Sequence, residues 1–224
     1  MLPHFFNDET AAVVRLIANI FVVMTSLVFG LMMNSSKNTY EAIDNNLHSF
    51  ATNIIVIDKT MRNYGSETAD AREKLRQYVD EAIRNPTWGT PHPETNPDIA
   101  GKMLDALGKS IATIKPGNDY ATSTLSDIRQ QYYQMEKQRW LLIEQSGDSI
   151  PFPVIIMLTA WLVLIFASYG YRAPQNAVTI SMVIISAFLI SGSLYLVLDM
   201  NAPFSGPIHI SNTPLQRALF EIKL

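Results

Sequence analysis

Side chains that do chemistry are sparse and scattered in this 224-residue chain. Its four histidines are His4, His48, His92 and His209, and no two stand at a spacing that offers a metal two imidazoles from one helix. There is no cysteine, which removes thiolate nucleophiles, thiolate metal sites and disulfides. Neither a glycine-rich phosphate loop nor a Gly-x-Ser-x-Gly nucleophile elbow occurs. Carboxylates in the middle of the chain sit among Lys and Arg, as on a solvated helical surface. His92 lies between Pro91 and Pro93, in an exposed loop. The pattern picks out no catalytic, cofactor-binding or metal-ligating residue, and no cofactor is expected.

One run stands apart: Asp199-Met200-Asn201-Ala202-Pro203-Phe204-Ser205-Gly206-Pro207-Ile208-His209-Ile210-Ser211. Asp199 closes an apolar stretch, and Pro203, Gly206 and Pro207 direct a tight polar turn. A carboxylate at a helix C-terminus opposes the helix dipole, so other groups must stabilise it. The N–H groups of the turn are suited to that. Asp199, Pro203, Phe204, Ser205 and Gly206 then form a structural clasp; the alternative is a ligand or ion site at a pore rim. The clasp is preferred, because a lone carboxylate has neither a partner for acid–base work nor enough ligands for a metal.

The elements that must position these residues follow from composition. Charged residues make up 17% of the chain, against roughly 25% in a soluble domain. Of the 37 charges, 29 lie between Lys37 and Asp148. That pattern describes a membrane protein with a polar middle. A net charge of −3 without a basic tract excludes a nucleic-acid binder.

Three stretches are long and apolar enough to span a bilayer, which takes about 20 residues in helix. They fall within residues 11–33, with the apolar run at Leu16–Met33, within 150–171 and within 173–198. The first has the wrong flanks for a cleaved signal: Asp8 and Glu9 precede it, and no small-x-small site follows. Arg15, at its N-terminal end, is placed to snorkel to the headgroups, with a pore-rim charge as the alternative. Spans two and three are joined by a short turn and form an antiparallel hairpin. Ser186, Ser191, Gly192 and Ser193 in the third span permit close helix packing or line a pore.

Three spans put the termini on opposite sides. Lys37, Lys137, Arg139, Arg217 and Lys223 flank one side, Arg15 and Arg172 the other. The positive-inside rule places the middle and the tail in the cytoplasm and residues 1–10 outside.

The middle, residues 34–149, reads as helical. Tyr40, Ile43, Leu47, Phe50, Ile54, Ile57, Met61 and Tyr64 alternate steps of three and four, a heptad seam. With no Gly or Pro from Met33 to Tyr64, one helix is expected to run from the first span to a stop at Gly65. Further helices are expected at Ala69–Arg84, Asp98–Lys115 and Tyr120–Gln145, with a loop over Asn85–Pro97. The last of these carries a second seam, Ala121, Leu125, Ile128, Tyr132, Met135, Arg139 and Leu142, and packs antiparallel on the first as a stalk. A turn and a short amphipathic helix, Pro214–Ile222, fill residues 199–224.

The tail motif, Asp199…Pro203-Phe204-Ser205-Gly206 with Ile208-His209-Ile210-Ser211…Pro214-Leu215…Ala218-Leu219, resembles the C-terminal signature of the bacterial bestrophin-like domain family. The Pro-led hairpin from Pro151, the charged helical middle, and Leu75-Arg76-Gln77-Tyr78-Val79 with Trp88 following fit it as well. The resemblance implies a bacterial inner-membrane protein, all-α, with the middle cytoplasmic. Members of the family usually carry one more N-terminal span, and this chain starts just before what would be the second.

The family name links to bestrophins, oligomeric anion channels. The first functional reading is a homo-oligomeric channel or transport assembly in the lipid bilayer. The alternative is a non-transporting scaffold or accessory subunit bound to other membrane subunits. Neither involves nucleic acid or enzymatic chemistry.

Overall fold

The computed structural model describes residues 8–86, 98–145, 150–170, 173–204 and 206–224. Expectations for the tail at 1–7, for the loop with Trp88 and His92, for the break at Gly147, for Tyr171 and Arg172 and for Ser205 lie outside the described residues. Every regular element among the described residues is helical. In chain order these are α1 (Asp8–Tyr64), α2 (Ala69–Arg84), α3 (Ile99–Thr113), α4 (Asp119–Gln145), α5 (Phe152–Gly170), α6 (Ala177–Asp199) and α7 (Thr213–Lys223), with a single 3-10 turn at Ser66–Thr68.

Local chemistry explains the boundaries. α1 runs 57 residues without interruption, about 86 Å at 1.5 Å per residue. It stops at Gly65, whose φ of 124° is open to glycine and strained for other residues. The Thr68 hydroxyl donates to the Met61 carbonyl (2.5 Å) and the Gly65 carbonyl (2.8 Å), fixing the reversal into α2. Asp98 is the N-cap of α3 and not its first residue; its side chain accepts the Gly101 N–H. Ile114 is extended, and the helix ends ahead of Lys115, the residue that Pro116 restrains. The Asn118 side chain accepts the Ala121 N–H at 2.7 Å and starts α4. α6 begins at Ala177, after Pro174, where the Asn176 side chain caps it through the Thr179 N–H.

The chain divides into two compact units, Met1–Thr39 with Asp148–Asn201, and Tyr40–Gly147 with Ala202–Leu224. The first holds the membrane segments. Three helices, Ala12–Tyr64, Phe152–Gly170 and Ala177–Asp199, are long and apolar enough to cross a bilayer. Within this unit a small cluster of buried residues forms around Met32, Ile150, Leu158 and Val197. The Tyr169 hydroxyl donates to the Asn19 side chain (2.6 Å), and Phe21 packs on Trp161.

The second unit is a helical domain with a continuous core. Six of the eight seam positions of α1 are fully buried, from Ile43 to Met61, and Tyr40 and Tyr64 pack at its edges. Burial is by the chain's own α2, α3, α4 and α7, whose Leu75, Tyr78, Leu107, Leu125, Ile128, Met135, Leu142 and Leu215 share the cluster. Asn46 donates to Gln145 (2.6 Å) and Asn53 to Gln138 (2.7 Å). Seven residues forward on α1 match seven backward on α4, so the two run antiparallel.

Candidate functional site

The polar groups that the helical domain encloses are brought together by its packing, not by proximity in sequence. Asp58 stands beside the apolar seam of α1 and is 2% exposed. Arg72 of α2 grips it with Nε at 2.8 Å and Nη2 at 3.3 Å, and Arg62 reaches it at 3.2 Å. Charge-assisted bonds of this kind join α2 to α1 just beyond the reversal at Gly65.

A second pair crosses from α4 to α3. Arg139 occupies a core position of the α4 seam and is 2% exposed. Its Nη2 lies 2.6 Å from both carboxylate oxygens of Asp98. Asp98 folds over the first turn of α3 so closely that a Cβ on Gly101 would sit 2.1 Å from its Oδ2. Only glycine there lets one carboxylate both cap α3 and bind Arg139.

Tyr78 of α2 is fully buried and stacks edge-on against Phe50, 6.4 Å between ring centres. Among the described residues its hydroxyl has no hydrogen-bond partner, nor has Arg139 Nε. Burial pushes the Tyr78 phenol upward, and the Arg139 guanidinium opposes the shift. Tyr132, whose hydroxyl donates to the Leu104 carbonyl at 3.2 Å, is raised to about 12, first by burial and then by Glu136. Asp70 is held below its ordinary value by the Lys74 hydrogen bond and then by that of Ser110, which ties α3 to α2. These groups fix helices against one another. Among the described residues no three His, Asp or Glu side chains converge as metal ligands.

The sequence candidates are placed as follows. Asp199 is the last residue of α6 and is 8% exposed. The turn beyond it buries Pro203, half-buries Phe204 against the helical core, and gives Gly206 a φ of 86°. The Pro203 carbonyl accepts the Ile210 N–H at 2.7 Å, closing the loop. Arg15 is exposed on α1. Ser186, Ser191, Gly192 and Ser193 are all exposed, but they do not share a face. At 100° per residue Ser186 and Ser193 lie about 20° apart, and Ser191 is about 140° from Ser186. Ser193 lines a cavity within the spans, to which Thr25 and Ser26 also contribute.

Sequence reasoning placed Arg139 in its seam without assigning it a partner, and gave no role to Asp58. A charge inside an apolar seam is itself a signal of a buried ion pair; its partner is 41 residues away and has no local mark.

Neither the comparison with curated proteins nor that with solved structures returned a match. The sequence model of the bestrophin-like domain, in contrast, matches residues 1–215. That covers the whole first unit, the second as far as Leu215 and the turn after Asp199, and the chain belongs to the bestrophin-like domain family.

Proposed function

We propose that the chain is one subunit of a homo-oligomeric channel or transport assembly in the bacterial inner membrane, with the helical domain and the tail in the cytoplasm. The observation that carries this reading is the state of α6. Every residue from Ser181 to Ser193 is exposed. A span carrying Ser186, Ser191, Gly192 and Ser193 presents small and hydroxyl side chains to its surroundings, and in membranes such residues mark helix–helix contacts. With so little of α6 covered by its own chain, further copies supply the contact. Family membership supports the channel-type reading. Asp199 and the turn to Gly206 act as a clasp at the cytoplasmic membrane surface, and the chain is not an enzyme.

A second reading rests on the outer face of α4, where Tyr133 and Trp140, seven residues apart, are 66% and 57% exposed. That aromatic face suits a scaffold docked to a different protein.

The mass of the nanodisc-held assembly separates the two, together with anion and cation efflux from proteoliposomes. A closed ring of one chain that passes ions supports the first reading. A defined complex with another protein and no flux supports the second. A monomer without flux removes both.

A further inference from the structure

In the helical domain, α3 and α4 line an open groove of about 370 Å³. Asp98 meets Arg139, and Leu104 and Gly108 meet Tyr132, so the two helices run antiparallel. That direction sorts the charges of the groove. Asp105 and Glu136 lie on facing walls toward the Asp98–Arg139 end, and Lys109 and Arg129 on facing walls at the other. The Tyr132 phenol senses the acidic end: after burial, Glu136 and then Asp105 raise it. Between the two ends the Tyr132 ring crosses α3 at Gly108, where a Cβ would stand 2.6 Å from the phenol oxygen. Tyr133 meets Tyr132 edge-on, 5.8 Å between ring centres, and is itself exposed.

These four charges differ from others in the domain. Asp58, Asp70, Glu73, Asp80 and Asp98 are each ion-paired to a Lys or Arg of the chain. Among the described residues, Asp105, Glu136, Lys109 and Arg129 form no ion pair, although Asp105 and Lys109 stand at the i,i+4 spacing that favours one. Like charges on facing walls repel, and an opposite charge seated between them relieves the repulsion. The groove is therefore complementary to an anion at one end and a cation at the other. Four residues of α3 and seven of α4 separate the ends, about 6 Å and about 10 Å of helix. Two separate ions would answer the charges and leave the tyrosine rings between them uncovered. One molecule carrying both charges answers the charges and covers the rings. Size agrees: an apolar cavity of about 150 Å³ holds benzene, so this groove takes a ring with a polar group at each end.

We propose that the α3–α4 groove binds a small zwitterion, an aromatic body with an anionic group held between Lys109 and Arg129 and an ammonium group held between Asp105 and Glu136. The site lies inside the helical domain of one subunit and is independent of whether the assembly conducts.

4-(Aminomethyl)benzoate, which holds its two charges across one ring, is the probe. Saturation-transfer NMR reads its binding to the full-length protein in nanodiscs at low ionic strength, with empty nanodiscs as the blank. The expected result is saturable binding. 4-Methylbenzoate and 4-methylbenzylamine, each lacking one of the two charges, should bind about tenfold more weakly, the size of two exposed charge contacts. Charge-neutral variants separate the ends. In Lys109→Gln with Arg129→Gln, the probe should bind no better than 4-methylbenzylamine. In Asp105→Asn with Glu136→Gln, it should bind no better than 4-methylbenzoate. Circular dichroism verifies that both double variants are folded. Absence of saturable binding, equal binding of the three compounds, or an unchanged ranking in either folded double variant would overturn the proposal.

Discussion

At the scale of single residues, the helical domain retains a hydroxyl that its packing does not satisfy. Leaving a buried hydroxyl unpaired costs about 1–3 kcal/mol. Tyr78→Phe keeps the ring against Phe50 and removes the unpaired group, so denaturant unfolding should show stability unchanged or raised by up to about that amount. Tyr78 and Tyr132 also set an alkaline limit. Burial lifts Tyr78 above the ordinary value of about 10 and lifts Tyr132 to about 12. The folded form holds these protons more tightly than the unfolded form. The stability they represent is therefore complete below pH about 10 and is lost as pH rises through about 12. Helical circular dichroism should fall across that window, and Tyr78→Phe with Tyr132→Phe should move the loss to higher pH. At the membrane end, the clasp reading of Asp199 has its own test. Asp199→Asn should lower the melting temperature modestly and Asp199→Ala more, in keeping with a charge-assisted bond of about 1.5–3 kcal/mol. Parental stability in both variants with loss of ion flux would place Asp199 in a permeation path.

At the scale of elements, the helices were largely legible because their signals are local. The seam from Tyr40 to Tyr64 follows the period of a buried helix stripe, and its residues are the core. Gly65 and Pro116 end helices through their own backbone constraints. Long-range polar pairing was not legible. Nothing near Asp98 in sequence announces Arg139, and nothing near Asp58 announces Arg72, since both pairs exist only after α2, α3 and α4 have packed. The four small residues of α6 read as one patch in a linear list, and the helix distributes them around its axis. The length of α1 has a direct test. Leu47→Pro removes a backbone bond and inserts a ring in the helix interior at a fully buried position, so it should cost about 3 kcal/mol or more. A melting temperature within a degree or two of the parent would contradict a rigid α1 at that point.

At the scale of the whole molecule, hydropathy identified the spans, and lysine and arginine counts gave an orientation that labelling can check. Ser66 stands in the exposed reversal after α1, and Gln175 in the exposed segment between α5 and α6. With no native cysteine in the chain, one thiol introduced at either site reports alone. Cysteine at Ser66 should resist a membrane-impermeant thiol reagent in intact cells, and cysteine at Gln175 should react. The opposite pattern reverses the proposed topology.

The tail has a consequence for how the chain is made. α7 buries Leu215, Ala218 and Ile222 in the helical core and packs on α2, where Arg76 Nε donates to the Ile222 carbonyl at 2.9 Å. α2 ends at Arg84 and α7 begins at Thr213, about 130 residues later, with both hairpin spans between them. At synthesis rates of about 5–20 residues per second, the side of α2 that α7 covers waits roughly 6–26 s for its partner. During that interval the nascent chain presents an unfinished apolar surface, and a chain cut short after α6 would be a protein whose helical domain is never closed.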